Sequence, residues 1–135
     1  MSFIDTVSSN GAGIIISDEE GNVLLVRGSG GGKWSFPKGQ SESHDTDHLS
    51  TAIREVYEET GLRFNRDYDL LSDSSFTCFD RTYFFAIMRR GSEQNIRIHP
   101  KEISDYRWMN PRKSCHYWAE LNTGVRAFIK REQQC

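Results

Sequence analysis

The stretch that most restricts how this chain folds runs from Asp47 to Thr60, where Leu49, Ile53, Val56 and Thr60 recur at i, i+4, i+7 and i+11. At ~100° per residue this spacing lays one stripe along one face of an α-helix. Asp45, Thr46 and Asp47 offer side chains for the N-cap, and Gly61 stands where a C-terminal glycine would end the helix. Glu55, Glu58 and Glu59 fall at i, i+3 and i+4 on a different arc. Three carboxylates so close repel one another, and a helix gains nothing from them by itself. A divalent cation removes the penalty, and Mg²⁺ in particular takes hard oxygen ligands while keeping waters and substrate phosphates. Taken alone, such a cluster is more often a solvated acidic face.

Strands flank this helix. GAGIII and NVLLVRG read as a β-hairpin, 12–17 and 22–27, with Asp18 to Gly21 at the turn. GSGGGK (28–33) is a loop; its spacing is wrong for a phosphate loop, and Trp34 occupies the place of the hydroxyl residue that would meet Mg²⁺. Residues 34–36 predict a short strand stopped by Pro37. Residues 76–88 predict two strands around a tight Asp80–Arg81 turn. Residues 96–98 predict an edge strand, 105–109 another strand, and 114–132 a helix with Leu121, Val125, Phe128 and Ile129 on one side. Strands, helix, strands, helix in that order imply a mixed sheet with helices on both faces.

A length of 135 residues suits one domain, 1–135, and 36% hydrophobic with 27% charged residues is the balance of a globular chain. A net charge of −2 provides no global basic field for nucleic acid, although local patches can still be positive. Cys78, Cys115 and Cys135 are odd in number and far apart, as in reduced thiols of a cytoplasmic protein, and no His/Cys group has zinc-ligand spacing. MSFIDTVSSNG lacks the build of a signal peptide, and no apolar run approaches a membrane span.

Residues 37–62 carry the most information. Arg54-Glu55-Val56-Tyr57-Glu58-Glu59-Thr60-Gly61-Leu62 matches the second half of the Nudix box at every specified place, and Gly39, preceded by WSFPK, matches its opening glycine. The chain resembles the Nudix hydrolase superfamily on these residues, with two departures. The offset from Gly39 to Arg54 is fifteen positions where the family pattern has fourteen, and the box's first glutamate is absent, its place falling on Asp45 or Thr46.

The resemblance implies an α/β/α sandwich with a mixed sheet. It also implies a Mg²⁺-dependent (Mn²⁺ as an alternate) pyrophosphohydrolase that cleaves a phosphoanhydride in a nucleoside diphosphate linked to another moiety. It makes Glu55, Glu58, Glu59 and the Gly39 carbonyl metal ligands and gives Arg54 the task of holding the carboxylates by ion pairing. Glu58 is a candidate base. So is Glu102, because KEISDYRW resembles a second family pattern with a glutamate before a late strand that ends in Trp. Lys38 is a candidate for binding substrate phosphate, with Arg27 and Lys33 behind it. Phe36, Tyr83, Phe85 and Trp118 are candidate stacking residues, while His44, His48, His99 and His116 form no triad.

The lead-in is similar to those of dinucleoside-polyphosphate, diphosphoinositol-polyphosphate and mRNA-decapping Nudix enzymes. A small nucleotide or inositol-type polyphosphate ranks first as substrate and a capped RNA second. A Nudix module that binds nucleotides without cutting them is the alternative that the altered first half of the box favours. No membrane association and no obligate protein partner are expected.

Overall fold

An apolar run without polar alternation, such as GAGIII, suits a strand covered on both faces. In the computed structural model, which describes residues 10–133, this run is β1 (Gly11–Ser17). Then follow β2 (Val23–Gly28), β3 (Trp34–Ser35), β4 (Lys38–Gln40), α1 (His48–Thr60), β5 (Tyr68–Cys78), β6 (Arg81–Met88), β7 (Ile103–Met109) and α2 (Thr123–Gln133). Side chains alternate across the sheet with period two. Ala12, Ile14 and Ile16 of β1 join Ala52 and Val56 of α1 in one core, while Ile15 joins Val125, Phe128 and Ile129 of α2 in the other. The architecture is the expected α/β/α sandwich. Residues 1–9 and Cys135, on which the expectations about a leader and a third thiol rest, lie outside the described residues; Cys78 and Cys115 carry free thiols. Among the described residues no helix is long and apolar enough to cross a membrane.

The sheet is mixed because β1 and β6 run parallel, from Gly11↔Arg81 to Ser17↔Ile87, while the other strand pairs are antiparallel. β1 and β2 pair at Ser17↔Val23 and then diverge. The gap is filled by one stretch of chain: Trp34 and Ser35 pair with β2, and Lys38 to Gln40 pair with β1. Pro37 therefore marks a change of partner, not the end of extended chain, and β4 was not foreseen. The Pro37 carbonyl still accepts from Ile14 N–H at 3.2 Å.

α1 begins and ends as its sequence dictates. Asp47 caps it by accepting from Ser50 N–H at 2.8 Å, and Gly61, at φ 77°, closes it through a bond from its N–H to Tyr57 O.

Four expectations change. β5 starts at Tyr68, far earlier than residue 76, and pairs with β6 through a register shift between Leu70 and Ser75. The β5–β6 turn is centred on Phe79 and Asp80, at φ 48° and 67°, one residue before the expected position. Residues 96–98 form no strand, because Arg97 N–H bonds Thr60 O and Ile96 enters the core against the end of α1. The helix expected over 114–132 is two elements: a kinked 3-10 segment, Pro111–Glu120, then α2. Leu121, at φ −95° and ψ 142°, breaks them apart by bridging to Trp34, and Asn122 caps α2 by accepting from Val125 N–H at 2.9 Å.

Candidate active site

Arg54 projects from α1 into a nest of oxygens. Its Nε and Nη2 donate to the two oxygens of Asp45 at 3.0 and 2.9 Å, Nη2 also reaches Gln40 O at 2.9 Å, and Nη1 donates to Glu55 at 3.0 Å and to Glu58 at 3.2 Å. Asp45 further accepts from Glu42 N–H and from the Thr51 hydroxyl, both at 2.8 Å. Its carboxylate is almost wholly buried, and the bonds from Arg54 hold it well below the usual carboxylate range. The inserted residue before α1 has therefore been absorbed by a loop that folds Asp45 back onto Arg54. Four donors surround Asp45, three on Oδ2 and one on Oδ1, and through them it positions the arginine. Asp47 is occupied as the N-cap.

The three glutamates are not equivalent. At the sequence level they share an arc apart from the apolar stripe, yet Glu55 lies among the buried residues of α1, on the face that meets the sheet. There its carboxyl sits against Gly39, where a Cβ would overlap it. This is why the opening position of the motif demands glycine: the requirement is space, not backbone angle. Burial pushes the Glu55 pKa up, against the pull of Arg54. Burial also pushes Glu59 up, to about 7, although its Oε1 accepts from the backbone N–H of Lys38 at 3.2 Å. Glu58 is more open and faces Arg54. Burial pulls the Lys38 ammonium down, Arg81 pulls it further, and Glu59 and Glu55 oppose both.

Glu102, forty-three positions beyond Glu59, is brought back to the same place. Its negative charge is felt by both Glu55 and Glu59, and with Glu58 it lines an open cavity of about 450 Å³ bordered by Tyr57, Arg97 and His99. Its loop is held by a bond from Ser29 N–H to the Glu102 carbonyl at 2.9 Å. The structure thus gathers Lys38, Gly39, Arg54, Glu55, Glu58, Glu59 and Glu102. Arg27 and Lys33 have partners of their own. Arg27 Nε donates to Gly32 O at 3.0 Å with the guanidinium over Trp34, and Lys33 Nζ donates to Ala119 O at 2.7 Å. Phe36 and Tyr83 meet edge to face in the core at 5.5 Å, so their rings are not available to stack on a ligand.

Among the described residues no three acidic, histidine or cysteine side chains already converge on one point; Glu55 and Glu58 converge on Arg54 instead. The donor set nevertheless suits Mg²⁺. It consists of hard oxygens, it holds more negative charge than Arg54 neutralises, and two of its carboxylates are buried at a penalty that a cation would relieve.

Comparison with known proteins agrees with this geometry. The NUDIX domain family matches residues 8–128. An RNA pyrophosphohydrolase of Shewanella denitrificans is 30% identical over 127 residues, covering 78% of this chain and 69% of that protein. The mRNA-decapping enzyme subunit 2 of Arabidopsis thaliana is 52% identical over 97 residues, covering 70% of this chain but 26% of that protein, so the chain spans about a quarter of that relative. Among solved structures, a C. elegans Ap4A hydrolase binary complex aligns with a TM-score of 0.72 at 20% identity, over 93% of this chain and 99% of that one. The last likeness speaks for the fold alone. With the family match running from before β1 into α2 and across the whole glutamate site, this chain belongs to the Nudix hydrolase family.

Proposed function

We propose that this chain is a Mg²⁺-dependent pyrophosphohydrolase that cleaves a phosphoanhydride at the 5′ end of an RNA. The observation that carries the reaction is Glu55 seated against Gly39 on the helix that also bears Glu58 and Glu59, with Glu102 lining one cavity with Glu58 and its charge reaching Glu55 and Glu59. Glu55, Glu58, Glu59 and the Gly39 carbonyl are the groups that would hold the ion. Bound Mg²⁺ supplies neutralisation of phosphate charge and a lowered pKa for an attached water.

The chain's own residues do the rest. Arg54 fixes the carboxyls of Glu55 and Glu58, and Asp45 fixes Arg54. The Lys38 N–H sets the rotamer of Glu59, and the Lys38 ammonium takes charge from a phosphate oxygen. Glu102 accepts the proton of the attacking water. It suits that role better than Glu58, which is engaged by Arg54. The products are two phosphorylated halves.

The substrate choice rests on relatives. The names of two similar proteins, an RNA pyrophosphohydrolase and a decapping subunit, support an RNA end ahead of the small dinucleoside or inositol-type polyphosphate that the lead-in ranked first. The test is a panel of 5′-triphosphorylated RNA, capped RNA, dinucleoside polyphosphates and inositol pyrophosphates, each with Mg²⁺ and with EDTA. Cleavage of an RNA end in Mg²⁺ alone is the expected result. Preference for a small polyphosphate removes the RNA assignment, and binding without cleavage of any member makes the chain a nucleotide-binding module.

A further inference from the structure

On the far side of Lys38 from α1 lies a second cavity, of about 270 Å³, between the β5–β6 turn and the head of α2. Lys38, Phe79, Arg81, Tyr83 and Gly124 line it. Lys38 and Arg81 line it together, and Arg81 acts on the Lys38 charge more strongly than either Glu59 or Glu55, which oppose it. Two cations held at one cavity favour an anion that joins them. Tyr83 adds a hydroxyl. The residue as a whole is 2% exposed, yet it lines this cavity. Its hydroxyl opens toward Gly124, where an added Cβ would stand 3.0 Å from it, so glycine at that position leaves the space in front of the hydroxyl clear.

At the rim, Phe79 is 71% exposed and sits at φ 48°. A bulky residue in the left-handed region is strained, and a ring this exposed gains little from folding. The cavity also shares Lys38 with the catalytic face. Lys38 N–H bonds Glu59, and the Glu59 charge reaches Tyr83.

We propose that this cavity is a second phosphate subsite, where Lys38, Arg81 and the Tyr83 hydroxyl hold a substrate phosphate other than the one attacked and Phe79 stacks on the neighbouring base. The assignment builds on the pyrophosphohydrolase reading above. It gives that enzyme a means of selecting substrates that carry a further phosphate beside a nucleoside.

The test reads binding without metal or turnover, by calorimetric titration in EDTA with inorganic pyrophosphate and with ADP. The wild-type protein binds both, more weakly as salt rises. Arg81→Gln weakens both by about tenfold and Tyr83→Phe by about fivefold, the loss of a charge-assisted bond and of one hydroxyl donor respectively. Phe79→Asn, which keeps a residue tolerant of the turn, weakens ADP but not pyrophosphate. Gly124→Ala, which crowds the hydroxyl, follows Tyr83→Phe. Arg81 lies at a strand end and Tyr83→Phe keeps the ring, so each variant is compared with wild type by thermal unfolding to confirm its fold.

Unchanged pyrophosphate binding in both Arg81→Gln and Tyr83→Phe overturns the subsite, as does absence of binding by the wild type. The hydrolysis panel is read separately. Metal-free binding that depends on Arg81, in a protein that cleaves nothing, keeps the subsite and rejects the reaction. Cleavage with binding indifferent to Arg81 does the reverse.

Discussion

Asp45 grips Arg54 at two points, 3.0 Å from Nε and 2.9 Å from Nη2, and the third nitrogen of the same guanidinium spans Glu55 and Glu58. A planar fork can hold a fixed angle between its partners in a way that a lysine point charge cannot. Asp45→Ala therefore acts at a distance. It leaves the largely buried Arg54 short of its main partner, which destabilises the fold by roughly 2–3 kcal/mol, and it lets the two glutamates drift. The expected kinetic result is a kcat lower by about tenfold with KM little altered, since positioning of catalytic groups is lost and substrate contacts are not. Urea unfolding and steady-state kinetics on the same variant check both parts. An unchanged kcat would make the Asp45 loop a purely structural feature.

Gly39→Ala separates stability from activity in the opposite sense. The added methyl overlaps the Glu55 carboxyl, which is the far end of a flexible side chain and able to swing aside. The chain should fold with a loss of about 1 kcal/mol or less. The displaced carboxylate is a proposed metal ligand, however, and misplacement by about an ångström lowers turnover by about a hundredfold. Retained activity in a folded Gly39→Ala protein would show that Glu55 is not needed where it sits.

These two sites also show what could be read from the linear sequence. Arg54 to Gly61 and the Asp47 cap are local, and a helical period places them without knowledge of the rest. The tilt of the helix is not local. It is set by packing on β1 and β4, and it turned Glu55 from a surface carboxylate into one buried against Gly39. The first half of β5, YDLLSDSS, lacks the alternation that marks a half-buried strand, and its register shift explains why. The helix expected across 114–132 followed the apolar spacing of Leu121 and Val125 and overlooked Asn122, a residue that caps. Arg81 could not be associated with Lys38 at all. They meet because Lys38 and Arg81 flank β1 from opposite sides, at Gly13 and Gly11, through pairings that no short-range pattern encodes.

Asp67 should contribute to the acid limit of stability, alongside Asp45. Its side chain is fully buried, and burial alone would raise its pKa. Bonds from Arg66 at 2.7 Å, Arg63 N–H at 2.8 Å and Asn95 at 2.8 Å outweigh that and bring it down to about 2 from an ordinary 3.8. The folded value lies below the unfolded one, so between them the unfolded chain binds more protons and stability rises with pH. The contribution, roughly 2 kcal/mol, is complete above pH 4 and disappears as pH falls through 2. Urea midpoints of wild type and Asp67→Asn should differ at pH 7 and converge toward pH 2. A difference that persists at low pH would place the role of Asp67 in shape and not in charge.

Glu59 supplies the test of whether the acidic face is built for a cation. Burial makes its charge costly, as its rise to about 7 shows, and nothing in the fold other than the Lys38 N–H and ammonium compensates. Glu59→Gln keeps an oxygen to accept from Lys38 and removes the charge, so without metal it should be the more stable protein, by roughly 1–2 kcal/mol. With Mg²⁺ the order should reverse. A ligand at a hundred times its Kd adds about 2.7 kcal/mol to the state that binds it, and the variant, short of one ligand, gains less. Thermal unfolding of both proteins in EDTA and across a Mg²⁺ series reads this crossing directly. Parallel curves, with the variant ahead by the same margin at every Mg²⁺ concentration, would mean that Glu59 does not touch the ion.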